Sequence, residues 1–527
     1  MRRTFVALTA VTAALALAFA GAASAAGPTG AGPAAHGLVA HGPSGHQDRL
    51  RTVVTTDMEQ DDYASLIRYL LYTNDVDTEG IIYTSSRFHW AGDGKGTEFF
   101  LPGREYTTPQ TSWRWTGTRT IQDEALKAYA EVYPNLRRHD PDYPSPAELQ
   151  SKVKIGNIVF EGEMGQDTAG SNLIKKLLLD NDRRTLYLQA WGGTNTIARA
   201  LKSIEDQYGA RRDWPALKAK ISAKAVILAS GFQDTTYADY IAPSWPALRV
   251  EQLSGGYATW GYNCNRNNQG NVRGLPQDRQ YFQGAWIKAN IQTGPYGRLY
   301  RSWLDGQAMP GDQLDIFGIP ELAPSGWCKP LEQYDFLSEG DNVAFNPLLT
   351  TGIQDPAHPA LGGWGGRAVQ ISTSPDLWTT VPADSEKDGS GAVVSNYTTL
   401  RWAAAAQNDF AARIQWTLTP RYSQGNHAPT VRVAGSSTVT VKAGRSIRLL
   451  ALGMDPDRDR LAYSWWQYGE EGTYPGTVGI SSASSPLARV SVPADAVKGQ
   501  RISLIVQVTD DGEFPLTRYD RVTIKVG

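Results

Sequence analysis

Three aspartates, Asp57, Asp61 and Asp62, follow directly on the apolar, β-branched run Val53-Val54-Thr55-Thr56. Such a run reads as a strand, and a helical pattern from Asp62 to Thr73 begins at once, so the carboxylates gather at a strand-to-helix corner. In an open α/β sheet, ligands bind outside the carboxyl ends of the strands. Carboxylates crowded at such a corner repel one another unless a cation or a polar ligand compensates them. The amino end of a helix stabilises each charge by only about 0.3–1 kcal/mol, which does not offset three. Hard oxygen donors from several strand ends suit Ca²⁺, which accepts roughly six to eight of them, with Mg²⁺ as the alternative. The expectation is that this stretch holds a divalent metal and a sugar-like substrate. A helix-capping acidic turn would show the same Asp-x-x-x-Asp-Asp spacing.

The elements that would position these groups can be read around them. Residues 49–250 alternate strand-like and helix-like patterns, which predicts an α/β fold with a mostly parallel sheet and helices on both faces. Four strand exits carry polar groups. Arg51 to Thr56 ends at Asp57, and Thr78 to Thr84 runs into Ser85-Ser86-Arg87-Phe88-His89-Trp90. Leu186 to Ala190 leads to Trp191-Gly192-Gly193-Thr194-Asn195, and Ala225 to Ala229 to Ser230-Gly231-Phe232-Gln233-Asp234. Residues 91–120 show no clear period, and 251–345 are irregular and rich in Gly, Tyr, Asn and Pro, as in lids or insertions over a site. Within the second of these lies Glu339-Gly340-Asp341. The Ala-rich helix Leu400 to Leu418 closes the first domain, assigned to residues 48–422.

Beyond it, residues 427–527 show about seven short alternating strands, the pattern of an immunoglobulin-like sandwich. Asp455-Pro456-Asp457-Arg458-Asp459 and Thr509-Asp510-Asp511-Gly512 resemble turn motifs of cadherin- and PKD-like modules, where ordinary acidic turns and calcium binding are both open readings. Trp465 and Trp466 are adjacent strand residues and face opposite sides, so one of them is core.

The chain has 527 residues, more than one hydrophobic core usually supports. Its 51 Lys+Arg nearly balance its 53 Asp+Glu, which argues against an electrostatic grip on nucleic acid or anionic lipid. Arg2-Arg3, the apolar run Phe5 to Ala20 and Ala23-Ser24-Ala25 read as a secretory signal peptide over residues 1–25, with ordinary secretion and the twin-arginine route both open. The expected location is therefore extracellular. Residues 26–47, rich in Gly, Ala, Pro and His, read as a flexible leader. Cys264 and Cys328 are the two cysteines, and an oxidising compartment favours a disulfide between them over two free thiols.

Against this background, Asp57-Met58-Glu59-Gln60-Asp61-Asp62 resembles the Asp-Pro-Gly-x-Asp-Asp signature of calcium-dependent nucleoside hydrolases. Trp191-Gly192-Gly193-Thr194-Asn195-Thr196-Ile197-Ala198 resembles their second motif, and Asp341 falls where they carry a late His-Asp. The whole chain, tail included, resembles a family of secreted nucleoside-hydrolase-like proteins, some labelled cellulose-binding. The resemblance implies that Asp57, Asp62, Asp341 and the Trp191 carbonyl would ligate Ca²⁺, that Asp57 would also activate the attacking water, and that Asp61 would hold a sugar hydroxyl. An oxocarbenium-like transition state would then collect positive charge beside these carboxylates. Two departures stand out: Pro-Gly is Met58-Glu59, and the late His is Gly340. His89, Glu339 and Asp234 are the candidates to replace the missing acid, with loop packing as the other reading of His89. Ser86, Gln233, Asp234 and Glu339 are the further candidates for substrate contact. The expected partner is a glycoside or polysaccharide. The expected activity is hydrolysis of an N- or O-glycosidic bond, the alternative being a carbohydrate-binding protein without turnover.

Overall fold

The computed structural model describes residues 49–253, 275–302, 306–315, 318–319 and 339–527. The proposed disulfide partners Cys264 and Cys328 and the proposed leader sequences lie outside the described residues.

Strand β1 (Leu50–Thr56) is buried at every position but its first, because it has a neighbour on each side and helices over both faces. Helix α1 (Gln60–Leu70) follows after three residues, starting two positions before the expected Asp62 because the Tyr63 amide already bonds to the Glu59 carbonyl at 3.0 Å. Next come β2 (Val76–Tyr83), α2 (Leu126–His139), α3 (Pro146–Lys152), β3 (Val153–Ile155) and α4 (Ala169–Leu179). The second half supplies β4 (Leu186–Ala190), α5 (Asn195–Tyr208), α6 (Trp214–Lys224), β5 (Ala225–Ala229) and β6 (Arg249–Gln252). Thr168 caps α4 through reciprocal bonds with Ser171.

The sheet order is β3-β2-β1-β4-β5-β6-β8-β7, where β7 is Ala368–Ile371 and β8 is Ser374–Thr380. All pairs are parallel except β7 with β8. From β1 the chain builds outward to β3, then returns to β4 on the other side of β1 and builds outward the opposite way. The crevice above β1 and β4 is therefore the topological switch point, where such sheets bind ligands. Alternation along the strands fills one core on each face: Val54, Ile81 and Tyr187 point to one, Val53, Ile82 and Leu188 to the other. Residues 91–120 form no regular element and are pinned by isolated pairings, Trp90 with Trp113 and Phe99 with Gln110.

The carboxyl-terminal part forms two four-stranded sheets, β10-β16-β15-β12 and β13-β14-β11-β9, with β9 (Thr430–Val433), β10 (Thr438–Val441), β11 (Ser446–Met454), β12 (Ala462–Gln467), β13 (Gly479–Ser481), β14 (Leu487–Ser491), β15 (Arg501–Thr509) and β16 (Thr517–Val526). Its own core includes Trp465, Val490, Leu504 and Ile524. Tyr468, Ile505 and Tyr519, however, join the core cluster of the α/β body, meeting Trp402 ahead of the helix Ala403–Leu418. Trp402 stands edge-on to Tyr519 at 5.4 Å, and Trp466 lies 6.0 Å from it. Of the two adjacent tryptophans, one is thus sandwich core and the other packs at the junction.

Candidate active site

Asp57 is the first residue past β1, and its backbone turn is unusual. Met58, which stands where the resemblance expects proline, has φ of +54° and is buried. The left-handed conformation is held from both sides: the Met58 amide donates to Thr56 Oγ1 at 3.0 Å and its carbonyl accepts from Thr116 Oγ1 at 3.0 Å. The Thr56 hydroxyl in turn donates to Asp62 Oδ1, fixing that carboxylate on the first turn of α1. Asp341 arrives from far along the chain, its amide bonded to Ser65 Oγ of α1 at 3.1 Å. On the β4 side, Gly192 is needed for closeness, since a Cβ there would lie 2.9 Å from Asp57 Cγ and 3.1 Å from its Oδ1.

Asp57, Asp61, Asp62 and Asp341 are all essentially inaccessible. Both oxygens of Asp57 and of Asp341, Asp61 Oδ1 and Asp62 Oδ2 have no hydrogen-bond partner within the protein. Burial, followed by the charge of Glu59, pushes the Asp57 carboxyl up to about 6 despite the opposing pull of His89. Burial and the neighbouring carboxylates likewise drive Asp61, Asp62 and Asp341 well above the ordinary range. Buried carboxylate oxygens without donors are costly. A divalent cation removes that cost, and the donor set is all hard oxygen, so these residues fit Ca²⁺.

Glu59, which occupies the expected glycine position, belongs to the cluster. Its carboxylate comes within 4.8 Å of ligand atoms of Asp61 and Asp62, and also of Asp57 and His89. His89 Nδ1 sits 3.1 Å from Glu59 Oε2 and 3.7 Å from Asp57 Oδ2, while Nε2 faces Asp312 Oδ2 at 3.4 Å. Arg114 clamps Asp312 from behind with two bonds of 2.8 and 2.9 Å. Burial alone would lower the His89 pKa, but the bonds to Asp312 and Glu59 carry it to about 9. Glu59, which burial would raise, is pulled down to about 2 chiefly by His89. The arrangement is a protonated imidazole held between two carboxylates and pointed at Asp57. Asp312 and Arg114 were invisible to the sequence reading, being single charged residues in stretches without periodicity.

The remaining candidates divide. Gln233 is in the site: its Nε2 donates to the Trp191 carbonyl at 2.7 Å and its Oε1 has no partner. The Trp191 carbonyl therefore has one lone pair engaged and one over. Ser86 builds the loop, its Oγ accepting from the amides of Phe88 at 2.9 Å and His89 at 3.1 Å. Asp234, expected to touch substrate, instead clamps the start of α5. Its oxygens accept from the Asn195 amide, the Thr194 hydroxyl and both the amide and hydroxyl of Thr236. Glu339, likewise expected to touch substrate, is a buried ion-pair partner, bonded to Arg68 Nε at 2.6 Å and to Tyr300 Oη at 2.5 Å. Both carboxylates are engaged by strong donors within the protein, unlike the bare oxygens of Asp57 and Asp341.

A parallel sheet with carboxylates at its switch point and an appended sandwich defines the class as nucleoside-hydrolase-like. The description "Cellulose-binding Sde182, nucleoside hydrolase-like domain" matches residues 51–368, and "Cellulose-binding protein Sde0182, C-terminal domain" matches residues 446–526. The chain belongs to this Sde182 family. Among solved structures it is similar to a nucleoside hydrolase-related hypothetical protein from Saccharophagus degradans that is associated with carbohydrate metabolism, at 28% identity and a TM-score of 0.65, covering 91% of this chain and 100% of that one. A plant nucleoside hydrolase matches at 10% identity and a TM-score of 0.31, over 69% of this chain and 99% of that one. Mouse cadherin-23 repeats match at 19% identity and a TM-score of 0.16, over 19% of this chain and 33% of that one. No curated protein matches the chain. No helix among the described residues is long and apolar enough to cross a membrane.

Proposed function

We propose that the protein is a secreted, Ca²⁺-dependent hydrolase of N- or O-glycosidic bonds in carbohydrate metabolism outside the cell. The observation that carries this reading is the set of buried, unpartnered carboxylate oxygens of Asp57, Asp61, Asp62 and Asp341 at the sheet's switch point. Asp57, Asp62 and Asp341, with the Trp191 carbonyl, would hold the cation, and Glu59 stands close enough to join them. When bound, Ca²⁺ supplies a hard positive centre that neutralises the carboxylates and organises hydroxyl oxygens around them.

The protein's own groups then have separable tasks. Asp57 takes a proton from the attacking water beneath the anomeric carbon. Asp61, through its unpartnered Oδ1, accepts from a sugar hydroxyl. The cluster's residual negative charge stabilises the oxocarbenium-like transition state. His89, whose Nδ1 faces Glu59 and Asp57, is the donor to the leaving group in place of the histidine that Gly340 replaces. Asp312 and Arg114 hold its ring in place.

The family description supports a second reading, a carbohydrate-binding protein without turnover that uses the same cation and Gln233 to hold a sugar. A screen of released sugars and bases across nucleosides, aryl glycosides and plant polysaccharides separates the two. Calcium-dependent release is expected with the wild type and none with Asp57→Asn. Binding of polysaccharide with no release from any substrate would reject the hydrolase and leave the binding protein.

A further inference from the structure

The outer face of the sandwich sheet β13-β14-β11-β9 is apolar and basic, where the solvent face of an antiparallel sheet is ordinarily polar. Along β11 the burial alternates. Leu449 and Ala451 enter the sandwich core, while Leu450, Leu452 and Met454 point out, with 40%, 43% and 69% of their surface exposed. On β14, Ala488 and Val490 are core, while Leu487, 46% exposed, and Arg489 point out. The strand register sets these residues side by side. Leu450 lies directly opposite Leu487, and one step along the same face Arg448 lies directly opposite Arg489. In the other direction Leu452 is opposite Arg432 of β9, which also points out. The result is a ribbon: two guanidiniums at one end, a central band of three leucines and a methionine, and a third guanidinium on its flank. From Arg448 to Met454 it is about 20 Å long and two strands, about 10 Å, wide.

No outward residue of these four strands is acidic, and Arg432, Arg448 and Arg489 form no ion pair among the described residues. Like charges directly opposite one another across two strands repel, so Arg448 and Arg489 favour an anion between them. The chain as a whole carries 51 Lys+Arg against 53 Asp+Glu, so the imbalance belongs to this face. We infer that the ribbon docks an acidic polysaccharide, a linear sugar polymer bearing carboxylates, laid along β11. Its carboxylates pair with the arginines, whose planar forks match two oxygens at once. The C–H faces of its rings cover Leu450, Leu452 and Met454, removing that apolar surface from water. Its hydroxyls meet the hydroxyls of Ser446 and Ser491, the next opposite pair, which share a bond of 3.1 Å. The dimensions favour such an occupant. A protein partner of standard size covers about 800 Å² on each side, and the ribbon offers about 200 Å². No outward residue of the four strands is aromatic, so the face presents no ring surface to an uncharged chain such as cellulose. The surface is built by the sandwich alone and uses none of the carboxylates of the candidate active site.

The test uses the full chain in excess chelator, so that no calcium bridges one carboxylate to another. Polygalacturonate immobilised on a biosensor should bind the wild type, and more weakly as sodium chloride is raised. Arg448→Gln with Arg489→Gln should weaken binding about tenfold, the worth of two exposed ion pairs. Leu450→Ser with Leu452→Ser should weaken it too, while leaving its salt dependence unchanged. All four side chains point to solvent, so the melting temperatures of both variants should match the wild type. No binding of polygalacturonate by the wild type, or binding undiminished by both pairs of substitutions, overturns the inference. Equally tight binding of cellulose, of polyglutamate or of phosphatidylglycerol vesicles by the wild type also overturns it, and that comparison stands without the variants.

Discussion

Replacing Asp57 by Asn should make the metal-free protein more stable while removing its proposed chemistry. The carboxyl is fully buried, and its pKa of about 6 lies above the ordinary 3.8 because of burial and Glu59. A group that binds its proton more tightly when folded contributes most stability below its unfolded pKa, and that contribution is lost as pH climbs through the folded value. For Asp57 the loss runs from about pH 4 to about pH 6 and amounts to about 3 kcal/mol at pH 7. With an unfolding entropy of about 2 cal/mol/K per residue, that corresponds to about 3 °C in a body of this size. Melting curves by differential scanning calorimetry in excess chelator should therefore place Asp57→Asn above the wild type at pH 7 and level with it at pH 3.5. With calcium at pH 7 the order should reverse, because only the wild type gains binding energy from the full ligand set. A variant that melts below the wild type in chelator at pH 7, or a gap that persists unchanged at pH 3.5, would refute the reasoning.

Gly192→Ala should crowd the same carboxylate, costing about 1–3 kcal/mol in thermal stability and weakening calcium binding in a titration. His89→Gln should slow glycosides with poor leaving groups by about 10²–10⁴-fold while sparing activated aryl glycosides, as a plot of rate against leaving-group pKa would reveal. Deleting residues 427–527 removes Tyr468, Ile505 and Tyr519 from the core around Trp402. The truncated chain should therefore melt lower and bind a hydrophobic dye more strongly than the full one.

The opening corner was legible because strand pattern, acidic turn and helix pattern lie within about twenty residues, and each is a local signal. The same holds for the β4 exit, where Trp191-Gly192 announces a close backbone approach. The partners of Glu339 and Asp234 were not legible, because a carboxylate near a motif looks the same whether or not an arginine or a helix end has claimed it. Arg68, the partner of Glu339, is 271 residues away, and no periodicity records that contact. Asp312 and Arg114 escaped for the same cause, being joined only by the fold across 198 residues. The β7–β8 hairpin was missed because Ser374-Pro375-Asp376 has turn composition; Pro is tolerated there because it lies at the start of a strand near the sheet's edge. The sandwich strands were plain from their alternation, but their attachment to the α/β body was not, since Tyr468 and Tyr519 read as ordinary strand aromatics.

The central claim is that the carboxylates after β1 hold a divalent cation. Calorimetric titration of the chelator-stripped protein with calcium at pH 7 tests it most directly. A binding event should appear and should be lost on introducing Asp62→Ala. Binding that Asp62→Ala leaves unchanged, or no binding at all before that change, would contradict it.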